Sequence, residues 1–161
     1  MGAGKTTVLA EASDILAQRA ITHAAIDLDA LGLAHLPSEA RNDDVMHRNL
    51  QFVCKNYASR GVERLLLAGA MEDRAELELC SGLVLAKNTV VCRLVAGIEV
   101  MQQRVKKRES GILQQEYVAR VARLNVILDR ARLEDFIVIN ENRPVTEVAQ
   151  EVLVKAGWIS N

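Results

Sequence analysis

Apolar positions along the chain fall into short, dense runs separated by longer amphipathic stretches. Val8, Leu9, Ala12, Ile15 and Leu16 stand at i, i+1, i+4, i+7 and i+8, one face of a helix from Lys5 to about Ala20. Ala24-Ala25-Ile26 then reads as a short strand ending on Asp27-Leu28-Asp29, with Gly32, Pro37 and Ser38 marking a loop. A second helix is expected over about Asn42 to Ser59, with Val45, Asn49, Phe52 and Val53 in its buried register, and Gly61 stops it. Leu65-Leu66-Leu67-Ala68 is a continuous apolar run of strand length, closed by Gly69 and followed by a short helix near Arg74 to Cys80. Thr89 to Val95 and Phe136 to Ile139 read as two more strands. Helices fill Ile98 to about Glu109, about Gln115 to Leu133, and Val145 to Ala156.

Strands that are apolar at every position and alternate with helices call for a parallel sheet covered on both faces. The expected fold is therefore α/β, a three-layer α/β/α sandwich, with residues 1–161 as one domain. Ligands of such sheets gather beyond the carboxyl ends of the strands, where Gly4, Asp27, Asp29, Gly69, Gly97 and Asn140 would meet.

The chemistry is densest at Met1-Gly2-Ala3-Gly4-Lys5-Thr6-Thr7. These residues are the second half of the phosphate-binding pattern G-x-x-x-x-G-K-[ST]. Small residues let backbone N–H groups curl around phosphate oxygens, Lys5 supplies a point charge, and the Thr6 hydroxyl suits Mg²⁺. The helix after it points its positive dipole end at the same anion. A glycine-rich turn before an ordinary helix is the plainer alternative, and the apolar stripe that follows argues against it. The first glycine of the pattern would fall two positions before Met1, together with a central strand in the order 2-3-1-4-5. About ten further residues are therefore expected upstream.

Composition narrows the rest. Half the residues are apolar and the formal net charge is −1. No run free of Asp, Glu, Lys and Arg exceeds the nine residues Ala30 to Ser38, too few for a membrane span, and no secretory signal is visible, so the cytoplasm is the expected address. Cys54, Cys80 and Cys92 show no paired spacing, and His23, His35 and His47 show no metal-ligand spacing. Phe52, Tyr57, Tyr117, Phe136 and Trp158 are the only aromatics, too few and too scattered among basic residues to stack nucleic-acid bases.

Basic residues concentrate late in the chain: eight Lys and Arg against three acids between Arg104 and Arg132. Arg104 and Arg108 are neighbours on one helix face, opposite the stripe Ile98, Met101 and Val105. They suit a basic lid, over about 98–132, facing a triphosphate; a solvated helix face is the competing explanation.

Met1 to Thr7, Ile26-Asp27-Leu28-Asp29-Ala30-Leu31-Gly32, Leu65 to Gly69 and Arg104 to Arg108 together resemble the P-loop kinase family of small phosphotransferases, near adenylylsulfate, gluconate and shikimate kinases. The resemblance implies ATP and Mg²⁺ as cofactors, with Gly2, Ala3, Gly4, Lys5, Thr6 and Thr7 at the phosphates and metal. It implies a small-molecule acceptor near Asp27, Asp29, Arg41, Arg48 and Asn49, and an adenine-side loop over Asn140 to Arg143. It departs from the family at Gly69-Ala70-Met71, where an acid would ordinarily follow the strand. Asp27 or Asp29 is then expected to serve magnesium, because alternate side chains of one strand share a face. Capping of the following turn is the alternative for either residue. A nucleotide-binding module that transfers no phosphate is the alternative function, favoured by that departure.

Overall fold

The computed structural model describes residues 1–37 and 42–160. Four short strands, β1 (Ala24–Asp27), β2 (Leu65–Ala68), β3 (Cys92–Val95) and β4 (Phe136–Ile139), alternate with helices. The helices are α1 (Lys5–Gln18), α2 (Leu28–Leu31), α3 (Asn42–Ala58), α4 (Arg74–Leu83), α5 (Ile98–Arg108), α6 (Gln114–Ala131) and α7 (Val145–Lys155). The architecture is α/β with parallel strands. β1 pairs with β2 in the register Ala24–Leu65 to Asp27–Ala68, and β3 pairs with β4 from Cys92–Phe136 to Val95–Ile139.

Strand alternation sorts side chains between two helical layers. On one face Leu66, Cys92, Leu94, Phe136 and Val138 pack with Val8, Ala12, Ile15 and Leu16 of α1 and Val148, Ala149 and Leu153 of α7. On the other, Ile26, Leu65 and Leu67 pack with Leu50 and Cys54 of α3 and Cys80 of α4. A third cluster joins Ala3 to Met101 and Val105 of α5 and Val121 of α6. Arg93, from β3, reaches the α6 side through Asp129 at 2.7 Å and Asn125 at 3.1 Å. No described helix is long and apolar enough to cross a membrane.

Two half-sheets stand where one sheet was expected, in the order β1-β2 and β3-β4. Between them lies a slot of about 190 Å³ lined by β2 and β3 but by no residue of β1 or β4.

Three local expectations need correction. The buried register of α3 is Met46, Leu50, Val53, Cys54 and Tyr57, while Phe52 is 68% exposed and Asn49 exposed. The stripe follows i, i+4 and i+8 from Met46, one step out of phase with the expected one. β3 is shorter than Thr89 to Val95, its first three residues standing outside the ladder. Asp29 belongs to α2 and not to β1, so it and Asp27 do not share a face by strand alternation.

Candidate active site

The Gly2–Thr7 loop is built by two positive φ values and held by Met101, Asn140 and Arg104. Gly2 (φ 74°) and Gly4 (φ 88°) occupy the left-handed region that side-chain-bearing residues avoid. Gly2 also lies against the backbone of Met101, where an added Cβ would overlap the Met101 carbonyl. At Gly4 the same addition would overlap the Asn140 amide.

α1 begins at once after this turn with no side-chain cap and no acid in its first turn. Its leading N–H groups are therefore open to an external acceptor, with the positive end of a fourteen-residue helix behind them. The recess in front, about 70 Å³, is lined by Met1, Gly2, Gly4, Lys5, Thr6, Thr7, Asp29 and Arg108. Sequence reasoning named each of these except Met1. The α-amino group of Met1 is pushed down to about 6, by burial first and by the Lys5 charge second.

Asp27 ends β1 and performs two tasks at once. Its Oδ2 accepts the Thr6 hydroxyl at 2.6 Å, and its Oδ1 accepts the Asp29 backbone N–H at 3.1 Å, capping α2. Asp27 thus caps the turn and also contacts the Gly2–Thr7 loop. Thr6 and Asp27 form a pair of hard oxygen donors with Asp29 on the same recess, a set that suits magnesium, which takes one or two carboxylates beside substrate phosphates. Among the described residues no group of three or more His, Cys, Asp or Glu gathers as a metal cage.

Several expected site residues are engaged elsewhere. Asn140 is buried, and its amide donates to the Ala3 carbonyl at 2.7 Å while its own carbonyl accepts from Arg104 Nη2 at 2.9 Å. Arg104 Nη1 also reaches the Gly2 carbonyl at 3.4 Å. Both residues grip the outer, carbonyl side of the loop, and only Arg108 of the arginine pair lines the recess, its Nε held by Glu109 at 2.8 Å. Arg143 sits in a surface cluster, 2.6 Å from Glu151 and 3.8 Å from Glu147. Asn49 donates to the Leu31 carbonyl at 2.8 Å, tying α3 to the end of α2; Arg48 is exposed. Arg41 lies outside the described residues.

Two further contacts had no signal in the sequence. Glu141 accepts the Gly97 N–H at 2.7 Å, and Arg120 of α6 meets Glu72, beyond β2, at 3.4 Å. The partners are 44 and 48 residues apart, beyond the reach of any local pattern.

The similarity to known proteins is one of shape. No known protein family matches the chain by sequence, and no curated protein does. A solved structure of shikimate kinase from Acinetobacter baumannii, in complex with shikimate, superposes with a TM-score of 0.58 at 18% identity, over 99% of this chain and 91% of that one. The two chains share an α/β fold with parallel strands. At that identity the likeness carries the architecture and leaves activity to the site residues.

Proposed function

We propose that the chain binds ATP with magnesium at the Gly2–Thr7 loop and transfers the terminal phosphoryl group to a small hydroxyl-bearing molecule. The observation that carries this reading is the uncapped, acid-free start of α1 behind two left-handed glycines, with Lys5, Thr6, Asp29 and Arg108 around one recess. The kinase-like fold supports it.

Phosphoryl transfer asks a protein for position and charge rather than covalent chemistry. The N–H groups of the loop and the first turn of α1 donate to phosphate oxygens. Lys5 and Arg108 neutralise the terminal phosphates. Thr6 and Asp27 would hold magnesium, which would supply positive charge against the phosphate oxygens. Asp29, free of the strand, orients the acceptor hydroxyl. Arg104 and Asn140 act one layer back by fixing the loop's carbonyls outward, which leaves its N–H groups turned in.

A second reading, binding without transfer, is favoured by one observation: β2 runs into Gly69, so no carboxylate follows it. Product analysis separates the two. Incubation with ATP, Mg²⁺ and a panel of hydroxyl acceptors should yield ADP and a phosphorylated product in equal amounts, and Lys5→Ala should abolish both. Nucleotide binding with no phosphorylated product across the panel would support the second reading; a product that persists in Lys5→Ala would refute the site.

A further inference from the structure

β1 and β4 are the outer strands, since the slot lies between β2 and β3, and the two are finished differently. β1 alternates buried and half-buried residues and exposes none. β4 is Phe-Ile-Val-Ile, an uncharged run of strong strand formers, and it leaves Ile137 46% and Ile139 57% exposed. Backbone alternation decides which of its polar groups meet solvent. The N–H groups of Phe136 and Asn140 donate inward, to the Val91 and Val95 carbonyls at 3.4 and 2.8 Å. Ile137 and Ile139 therefore turn their N–H and C=O groups outward. A bare edge of this composition is a template for a strand of another chain.

Both outward carbonyls are taken by cations from the segment that follows. Lys155, in the last turn of α7, donates to the Ile137 carbonyl at 3.1 Å, and Arg143, just ahead of α7, donates to the Ile139 carbonyl at 3.3 Å. Glu151, between them on α7, holds Arg143 at 2.6 Å through one carboxylate oxygen and Lys155 at 2.7 Å through the other. Lys155 also stands 5.8 Å from the centroid of the Phe136 ring. The three charged side chains form one unit whose two ends rest on alternate residues of a single strand edge. Partly exposed ion pairs of this kind contribute little to folding. Two cations fixed on an edge, by contrast, oppose an approaching strand, because pairing would strip both carbonyl contacts. For a second copy it would also bring like charges together.

We propose that Arg143, Glu151 and Lys155 are an edge lock that keeps this chain from pairing with a second copy of itself through β4. The partner held off is the same chain, because two β4 strands set antiparallel about a two-fold axis offer each other equivalent outward donors and acceptors. That arrangement also brings Ile137 and Ile139 beside their counterparts, covering side chains that now face water.

The test compares the 161-residue chain with its Arg143→Ala/Lys155→Ala variant. Sedimentation at about 100 µM should find the variant as a dimer or larger species, dissociating on dilution, and the parent chain as a monomer. Residue-resolved hydrogen exchange locates the contact. The Ile137 and Ile139 N–H groups should exchange fast in the parent chain and at least about tenfold more slowly in the associated variant. Ile139→Pro, which removes an outward donor and no inward one, should return the variant to a monomer. If that proline lowers the melt, Ile139→Lys, at an exposed side chain, serves in its place and should act the same way. A variant that stays monomeric with both N–H groups unprotected would overturn the proposal. So would association that survives the change at Ile139, and so would a parent chain that already protects these two N–H groups as its concentration rises.

Discussion

The phosphate loop and the slot directly behind it are built on opposite principles. The loop spends its polar groups fully: the carbonyls of Gly2 and Ala3 are taken by Arg104 and Asn140, and the Thr6 hydroxyl by Asp27. What it leaves open is one set of donors, the first N–H groups of α1, aimed at one recess. A few ångströms of chain away, the slot leaves two strand edges without a ladder partner in an apolar setting. The loop turns donors to one recess, whereas the slot between β2 and β3 is lined mostly by apolar side chains.

Substitutions can break this contrast or sharpen it. The largest effect is expected from Leu153→Ala, since Leu153 is fully buried between α7 and α1. It should lower unfolding free energy by about 2–5 kcal/mol in a denaturant titration. Leu66→Ala, on the slot wall, should cost about half as much, because Leu66 already borders a void. Equal losses at the two positions would mean that the slot collapses in solution. Next comes Lys5→Ala, which should weaken nucleotide binding about 100-fold and leave the melt unchanged, as removal of a charged phosphate contact does.

Asn140 tests whether the loop is truly held from its outer side. Asn140→Ala strands the Ala3 carbonyl and should destabilise by about 1–3 kcal/mol, with weaker nucleotide binding as the loop loosens. Asn140→Asp, which turns a carboxylate toward that carbonyl, should be worse than alanine. If alanine proves silent in both assays, the loop does not depend on this grip.

The smallest effect belongs to the surface cluster of Arg143, Glu151 and Lys155. Hydrogen bonds from Lys155 and then Arg143 hold the Glu151 carboxyl below its ordinary range. A carboxyl with a depressed folded-state pKa contributes stability at neutral pH, and that contribution is lost as pH falls through the folded value. Glu151→Gln should therefore change stability by less than about 1 kcal/mol at pH 7 and by nothing measurable once the wild-type carboxyl is protonated. A loss that persists in acid would point to packing instead.

How far the sequence could be read follows from the range of each signal. Element types and order were legible because periodicity is local: α1, β2, β4 and α7 stand where their apolar patterns put them. The phase of α3 was missed because Phe52 is apolar yet exposed, and a stripe that includes it slides by one position. Asn140 was placed correctly at the sheet's carboxyl end, but its duty as a clamp on Ala3 depends on a partner 137 residues away. The contacts of Arg104 were hidden for the same reason, since helix spacing pairs it with Arg108 while the fold also brings it to the backbone of Gly2 and Asn140. Cys92 offered no clue at all. Only the fold sets its thiol on the slot, where burial pushes it up to about 12.

The central claim is that the start of α1 receives a triphosphate. Titrating Mg-ATP calorimetrically into the 161-residue chain and into its Lys5→Ala variant tests it most directly. Saturable heat at one nucleotide per chain, abolished by the substitution, is the predicted result. No heat, or the same heat after Lys5 is removed, would contradict it.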